Sequence, residues 1–223
     1  MKLLPILHVH SHQMLGMAGP VFQAFGDRLR MVEMVRHPLS LVPFFHSKVD
    51  RLTVDPLELG VWLSHDGTEM PWYTRGWEKK FIAARPMDRV IFLIEFLTRS
   101  ANEALDAMDE APRARVLVIP FERFVIDPTP YLDHIGRMLD TVPTSATARI
   151  LRRERVPRRH TGAGRDLPIY RRYAWAPPES GSSEASELRK RWYIAAQEAS
   201  PEGLATLEAV CADYERRYLA PPV

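Results

Sequence analysis

The stretch RLRMVEMVRHPLSLVPFFHSK, residues 28–48, changes character at a single point. Up to Arg36 it is short and rich in valine and methionine, the pattern of a buried strand. At His37-Pro38 that pattern stops, and proline is favoured in the first turn of a helix, so a strand-to-helix junction is expected here. A helix starting near Ser40 would hold Pro43 in its first turn. The same alternation continues outward. Asp88 to Met108 carries Val90, Leu93, Ile94, Leu97, Ala101, Leu105 and Met108 on one stripe of period 3.6, which predicts an amphipathic helix. Arg115 to Ile119 predicts a second buried strand, running into Phe121-Glu122. Asp127 as cap and Pro128 at the first position open another helix, with Leu132, Ile135 and Leu139 as its apolar stripe. Two helices are expected near 184–198 and 201–218, after a turn-rich segment. Asp55 to Tyr73 has no clear period and reads as an irregular excursion near a site, or a lid. A further buried strand is expected over Pro5 to His10. Strands separated by helices imply a single α/β domain over 1–223 with a mainly parallel sheet.

The composition sets bounds. The 223 residues are 46% hydrophobic and 26% charged, enough for one domain with a sizeable core. A net charge of +2 gives no bulk attraction to nucleic acid. Only Lys2, Lys48, Lys79, Lys80 and Lys190 are lysines, so most of the 30 basic residues are arginines, the better fork for carboxylate, phosphate or sulfate. Cys211 is alone, which excludes an intramolecular disulfide and a cysteine-based zinc site and fits a reducing compartment. The longest dense apolar run, Val90 to Ile94, is far too short to span a membrane, and MKLLPIL is too short for a signal peptide. A cytoplasmic protein is expected. Because a buried strand would start almost at Met1, the chain is either an authentic short form or lacks upstream sequence.

In parallel sheets ligands collect beyond the carboxyl ends of the strands. Three segments fall at predicted strand ends: His10-Ser11-His12, Arg36-His37-Pro38 and Phe121-Glu122. His8, His10 and His12 alternate, so on a strand they would share one face. A metal site, a general base and histidines in a wet cleft all fit that pattern. Arg36 and the free amides of the following helix would form a small anion site, unless the arginine simply pairs with a carboxylate at the sheet edge. Residues 149–166 read as a basic loop; nucleic-acid binding would require interleaved aromatics, and none occurs before Tyr170. Glu122 is expected to hydrogen-bond backbone or an arginine rather than act as an acid. Trp62, Trp72, Tyr73 and Trp77 would complete a core or line a pocket.

These segments resemble a family. MVEMVRHPLSLVPFFHSK is similar to the 3′-phosphate-binding strand and helix of sulfotransferases that use 3′-phosphoadenosine 5′-phosphosulfate (PAPS). VLVIPFERFVIDPTPYLDHIGRML is similar to a block downstream in the same family. The resemblance implies a three-layer, P-loop NTPase-like fold and transfer of a sulfuryl group from PAPS to a hydroxyl or amine of a small-molecule, glycan or lipid acceptor. It implies Arg36 as ligand of the 3′-phosphate, with Ser40 or Ser47 in place of a serine whose usual position holds Phe44. It implies a second contact to that phosphate from the loop ending TGAGRD, through Arg159, Gly162, Gly164 and Arg165. His12 would be the general base, with His10 in the place of a lysine, since imidazole titrates near neutrality. The family's Gly-rich 5′-phosphosulfate loop has no counterpart before His8, which an N-terminal truncation would explain.

Two other classes fit part of the chain. LHVHSH also resembles the opening His-x-His of metal-dependent phosphoesterases, which require further ligands on later strands; only His65-Asp66 offers itself. A folded, non-catalytic remnant would bind neither metal nor nucleotide.

Overall fold

The computed structural model describes residues 7–11, 14–52, 62–168 and 182–220. Its centre is a parallel pair, β1 (Met31–Val35) and β4 (Val116–Pro120), in register from Met31 opposite Val116 to Val35 opposite Pro120. Parallel neighbours need a long crossover, and the chain between them supplies it. α1 (Ala18–Phe25) precedes β1; α2 (Pro38–Leu52) follows it. A hairpin of β2 (Trp62–His65) and β3 (Thr68–Pro71) comes next, then α3 (Glu78–Ala83), the long α4 (Pro86–Asp106) and a single turn, α5 (Glu110–Arg113). After β4 come α6 (Phe121–Phe124), α7 (Thr129–Leu139), α8 (Ser145–Arg153), α9 (Glu184–Glu198) and α10 (Pro201–Tyr214). A π-helical turn, Glu215–Leu219, extends α10. The described residues therefore form an α/β fold around a two-stranded parallel sheet.

α4 organises the core. Pro86 takes its first position after an extended Arg85, and its apolar stripe is buried almost throughout. Val90, Ile91, Leu93 and Ile94 pack with Leu39 and Val42 of α2, Ala195 of α9, and Leu207 and Cys211 of α10. Further along, Leu105 joins Leu15, Ala18, Met31 and Val116 in a second cluster under the sheet. Fully burying such a side chain is worth roughly 1.5–3 kcal/mol, so this stripe fixes where α2, α9 and α10 sit. The lone cysteine is part of that core, and burial pushes its thiol up to about 12.

Several expectations change. α2 starts at Pro38, two residues earlier than expected, which places Pro43 inside the helix rather than in its first turn. Pro43 has no N–H to offer the Leu39 carbonyl; burial of Leu39 and Val42 against α4 keeps the helix continuous across that gap. The excursion expected over 55–73 is a hairpin where it is described. Asp66 and Gly67 both have positive φ, 50° and 76°, as a tight two-residue turn requires. The start of the basic loop is helix, because Thr144 and Thr147 form a capping box that opens α8. α7 starts at Thr129 with Pro128, not Asp127, at its cap; Asp127 sits one residue further back and accepts the Thr129 N–H at 3.1 Å.

The histidine strand is also revised. Residues 7–11 are irregular, and Leu7 and Val9 are as exposed as their neighbours. An alternating pattern makes a strand only where a neighbour supplies hydrogen bonds and a face to bury. Pro5, Ile6 and His12 lie outside the described residues.

Candidate functional site

A cavity of about 180 Å³ opens beyond the carboxyl ends of β1 and β4. Three segments distant in sequence line it: Arg36 and Ser40 at the β1–α2 junction, Phe121 and Glu122 after β4, and the loop from Arg158 to Arg165. α9 closes it with Ser183, Glu187 and Arg191.

Arg36 leaves the end of β1 and lies over the Phe121 ring, its guanidinium carbon 4.7 Å from the centroid. Its Nε is buried and has no hydrogen-bond partner among the described residues. Burial lowers the guanidinium's pKa, Glu122 opposes that shift, and the nearby Arg191 and Arg158 add to it. The group stays cationic in any working range of pH. A desolvated cation near other cations that leaves a donor unmet can take a hydrogen-bond partner that carries negative charge.

The other walls are fixed by different means. Arg191 donates from Nη1 to Ser40 Oγ at 2.8 Å, so the serine of α2 is oriented by a residue of α9. Arg158 also lies over Phe121, at 5.5 Å, and donates to the Thr161 carbonyl at 2.8 Å. Gly164 closes the loop against that guanidinium; a Cβ there would stand 3.0 Å from both terminal nitrogens. Arg165 donates to Glu154 at 3.2 Å.

Glu122 is a buttress. One oxygen accepts the His37 backbone N–H at 3.0 Å and the other accepts the Tyr214 hydroxyl at 2.5 Å. Burial and the adjacent carboxylate hold the Tyr214 phenol far above its ordinary pKa, so it remains a donor. His37, 2% exposed, accepts the Leu39 N–H at Nδ1, which leaves Nε2 to carry the proton towards Glu215 at 3.2 Å. The next residue, Arg123, donates to the Leu219 and Ala220 carbonyls and ties down the turn that carries Glu215. Phe121, Glu122 and Arg123 thus hold, in order, the cavity arginines, the β1–α2 junction and the end of α10.

The structure brings together Arg36, Ser40, Gly162, Gly164 and Arg165, all expected at one site. Ser47 is not among them: its hydroxyl donates to the Phe44 carbonyl in its own helix. Arg159 is exposed and off the cavity, and its neighbour Arg158 takes the wall instead. The free helix amides expected beside Arg36 are also spent. Ser40 N–H donates to the His37 carbonyl and Leu39 N–H to the His37 ring. His10 is exposed and does not line the cavity, and His12 lies outside the described residues. The aromatic cluster belongs to the core where described: Tyr73 is buried, Trp72 packs against the main cluster, and Trp77 donates to the Tyr73 carbonyl.

Arg158 belongs to the basic loop but not to the residues expected at the phosphate, and Arg191 lies outside every segment expected at the site. For Arg191 a signal exists, since it lies between Leu188 and Trp192, which pack inward one turn apart. Among the described residues no three His, Cys, Asp or Glu side chains gather as a metal site, and no helix is long and apolar enough to cross a membrane. Comparison with family models, with curated proteins and with solved structures finds no match.

Proposed function

We propose that this cavity binds the 3′-phosphate of PAPS and that the chain is a sulfotransferase of P-loop NTPase-like fold. The observation that carries the reading is the buried, unpartnered Nε of Arg36 at a strand end. Ser40 and residues of the Gly162–Arg165 loop line the same cavity, although more than 100 residues separate them. The resemblance assigned those two segments to the same phosphate, and their convergence supports it. A phosphate monoester dianion matches the excess of guanidinium groups, and the arginine fork suits its oxygens.

In the reaction an acceptor oxygen or nitrogen attacks the sulfur of PAPS. The sulfur–oxygen bond to the 5′-phosphate breaks and 3′-phosphoadenosine 5′-phosphate (PAP) leaves with the electron pair. The acceptor's proton passes to a general base, the role the resemblance gives to His12. The residues of the cavity bind and orient the nucleotide, and rate comes from in-line positioning and charge stabilisation.

The test is thermal unfolding with PAP, against 5′-AMP, which lacks the 3′-phosphate. At roughly a hundredfold excess over Kd, PAP should raise the midpoint by about 5–10 °C and 5′-AMP by far less. Equal shifts, or none, overturn the reading.

A further inference from the structure

The segment from Arg149 to Asp166 carries seven arginines against two carboxylates, Glu154 and Asp166, in a chain whose total charge is only +2. Positive charge is thus concentrated here, and the rest of the chain is net negative. On α8, Arg149, Arg152 and Arg153 fall within about 100° of the helix circumference. Arg152, Arg153 and Arg155 then line a shallow depression with Gly164, Arg165 and Asp166. Gly164 and Arg165 line the nucleotide cavity as well, so the two sites adjoin.

Two details place the arginine heads on this surface. Arg153 Nε and Arg165 Nη1 both donate to Oε1 of Glu154, at 2.8 and 3.2 Å, which fixes both heads along the rim. Arg155 has φ of 56°, a left-handed conformation that favours glycine. That conformation ends α8, where the Arg155 and Val156 N–H groups donate to the Arg152 and Leu151 carbonyls, and the Arg155 side chain reaches the Gly164 carbonyl at 3.4 Å, along the depression.

We infer that this depression docks an acidic polysaccharide, a sugar chain bearing carboxylate or sulfate groups, as the acceptor of sulfuryl transfer. The acceptor role rests on the cofactor reading above. The lining contains no aromatic residue on which bases would stack and no apolar residue to enter a bilayer. A chain held along Arg152, Arg153 and Arg155 brings its hydroxyls to Arg165, at the edge of the cavity.

The experiment titrates the full chain with dextran sulfate and with polygalacturonate, using neutral dextran, duplex DNA and phosphatidylglycerol vesicles as comparisons. Both acidic polysaccharides should bind at least roughly tenfold tighter than neutral dextran and weaken as salt rises. The variant Arg152→Gln/Arg155→Gly should weaken that binding by roughly tenfold. Glycine at 155 relieves the left-handed conformation, so the variant should melt no lower than the parent, and its shift with PAP should be unchanged. Unchanged polysaccharide binding in the folded variant overturns the proposal, as does equal or tighter binding of DNA or vesicles. Failure of PAP to stabilise the parent would remove the cofactor reading; loss of polysaccharide binding in the variant would still support the docking surface.

Discussion

The two arginine-rich regions of this protein use one residue type in opposite ways. Arg36 is half-buried at a strand end with its Nε out of contact with solvent, stacked on Phe121, and faces a carboxylate whose oxygens are both spent on His37 and Tyr214. The arginines of α8 and the following loop are largely exposed, and two of them, Arg153 and Arg165, pair with the half-buried Glu154. A desolvated guanidinium has one geometry and interacts strongly with whatever enters. An exposed one contributes to a field that salt screens within about 10 Å. On the proposed reading, specificity belongs to the first region and breadth of attraction to the second.

The comparison breaks most visibly at Glu122. Replacing it with alanine strands the His37 N–H and the Tyr214 hydroxyl in a buried site and removes the nearest negative charge from Arg36. Glu122→Ala should cost about 3 kcal/mol in chemical denaturation. A loss below about 1 kcal/mol would mean that the carboxylate is no buttress. Next in size is Arg36→Ala. It should weaken PAP by at least tenfold, as read by the ligand-induced rise in midpoint, while the nucleotide-free midpoint moves little. Equal affinity for PAP in parent and variant would remove Arg36 from the site.

Two carboxylates sharpen the contrast through pH. Glu33 of β1 is pushed above its ordinary pKa by burial, against a smaller opposing hydrogen bond from the Leu15 backbone. The folded state then holds its proton more tightly than the unfolded chain. Its contribution to stability is present at low pH and is lost as pH rises through the raised folded pKa. Glu33→Gln should therefore raise the midpoint at neutral pH and flatten its dependence on pH above the ordinary carboxylate range. A lower midpoint at neutral pH would show that the charge is accommodated. Glu154 is shifted the other way, first by the hydrogen bond from Arg153 and then, against the small cost of burial, by Arg165. Its contribution is present above the unfolded pKa and is lost as pH falls through the lowered folded one. Glu154→Gln should give the smallest change of the four, visible at low salt and gone in about 0.5 M salt. A change that persists in salt would assign the pair a structural weight its exposure does not predict.

Much of the fold was legible because it is local. The stripe over 88–108 is α4 with ends shifted by two residues, and the serines at 183 and 200 cap helices close to their expected starts. The hairpin at Asp66-Gly67 was not read, although the pair is a two-residue turn signal, because the surrounding Trp and Pro break the alternation of its strands. The irregular course of residues 7–11 was not legible either, since alternation alone does not supply a neighbouring strand.

The sequence by itself determined the strand-to-helix junction after Val35 and the position of Arg36 at its end, because periodicity and proline geometry act over a few residues. Only the tertiary structure decided what that arginine meets. The expected amides of α2 are spent on His37, and the wall is completed by Arg158 and by Arg191 reaching Ser40, 151 positions away. Glu122 reaches across 85 positions to His37 and 92 to Tyr214. Such contacts form because the stripe on α4 must be buried, and packing α2, α9 and α10 against it brings their polar ends to one place.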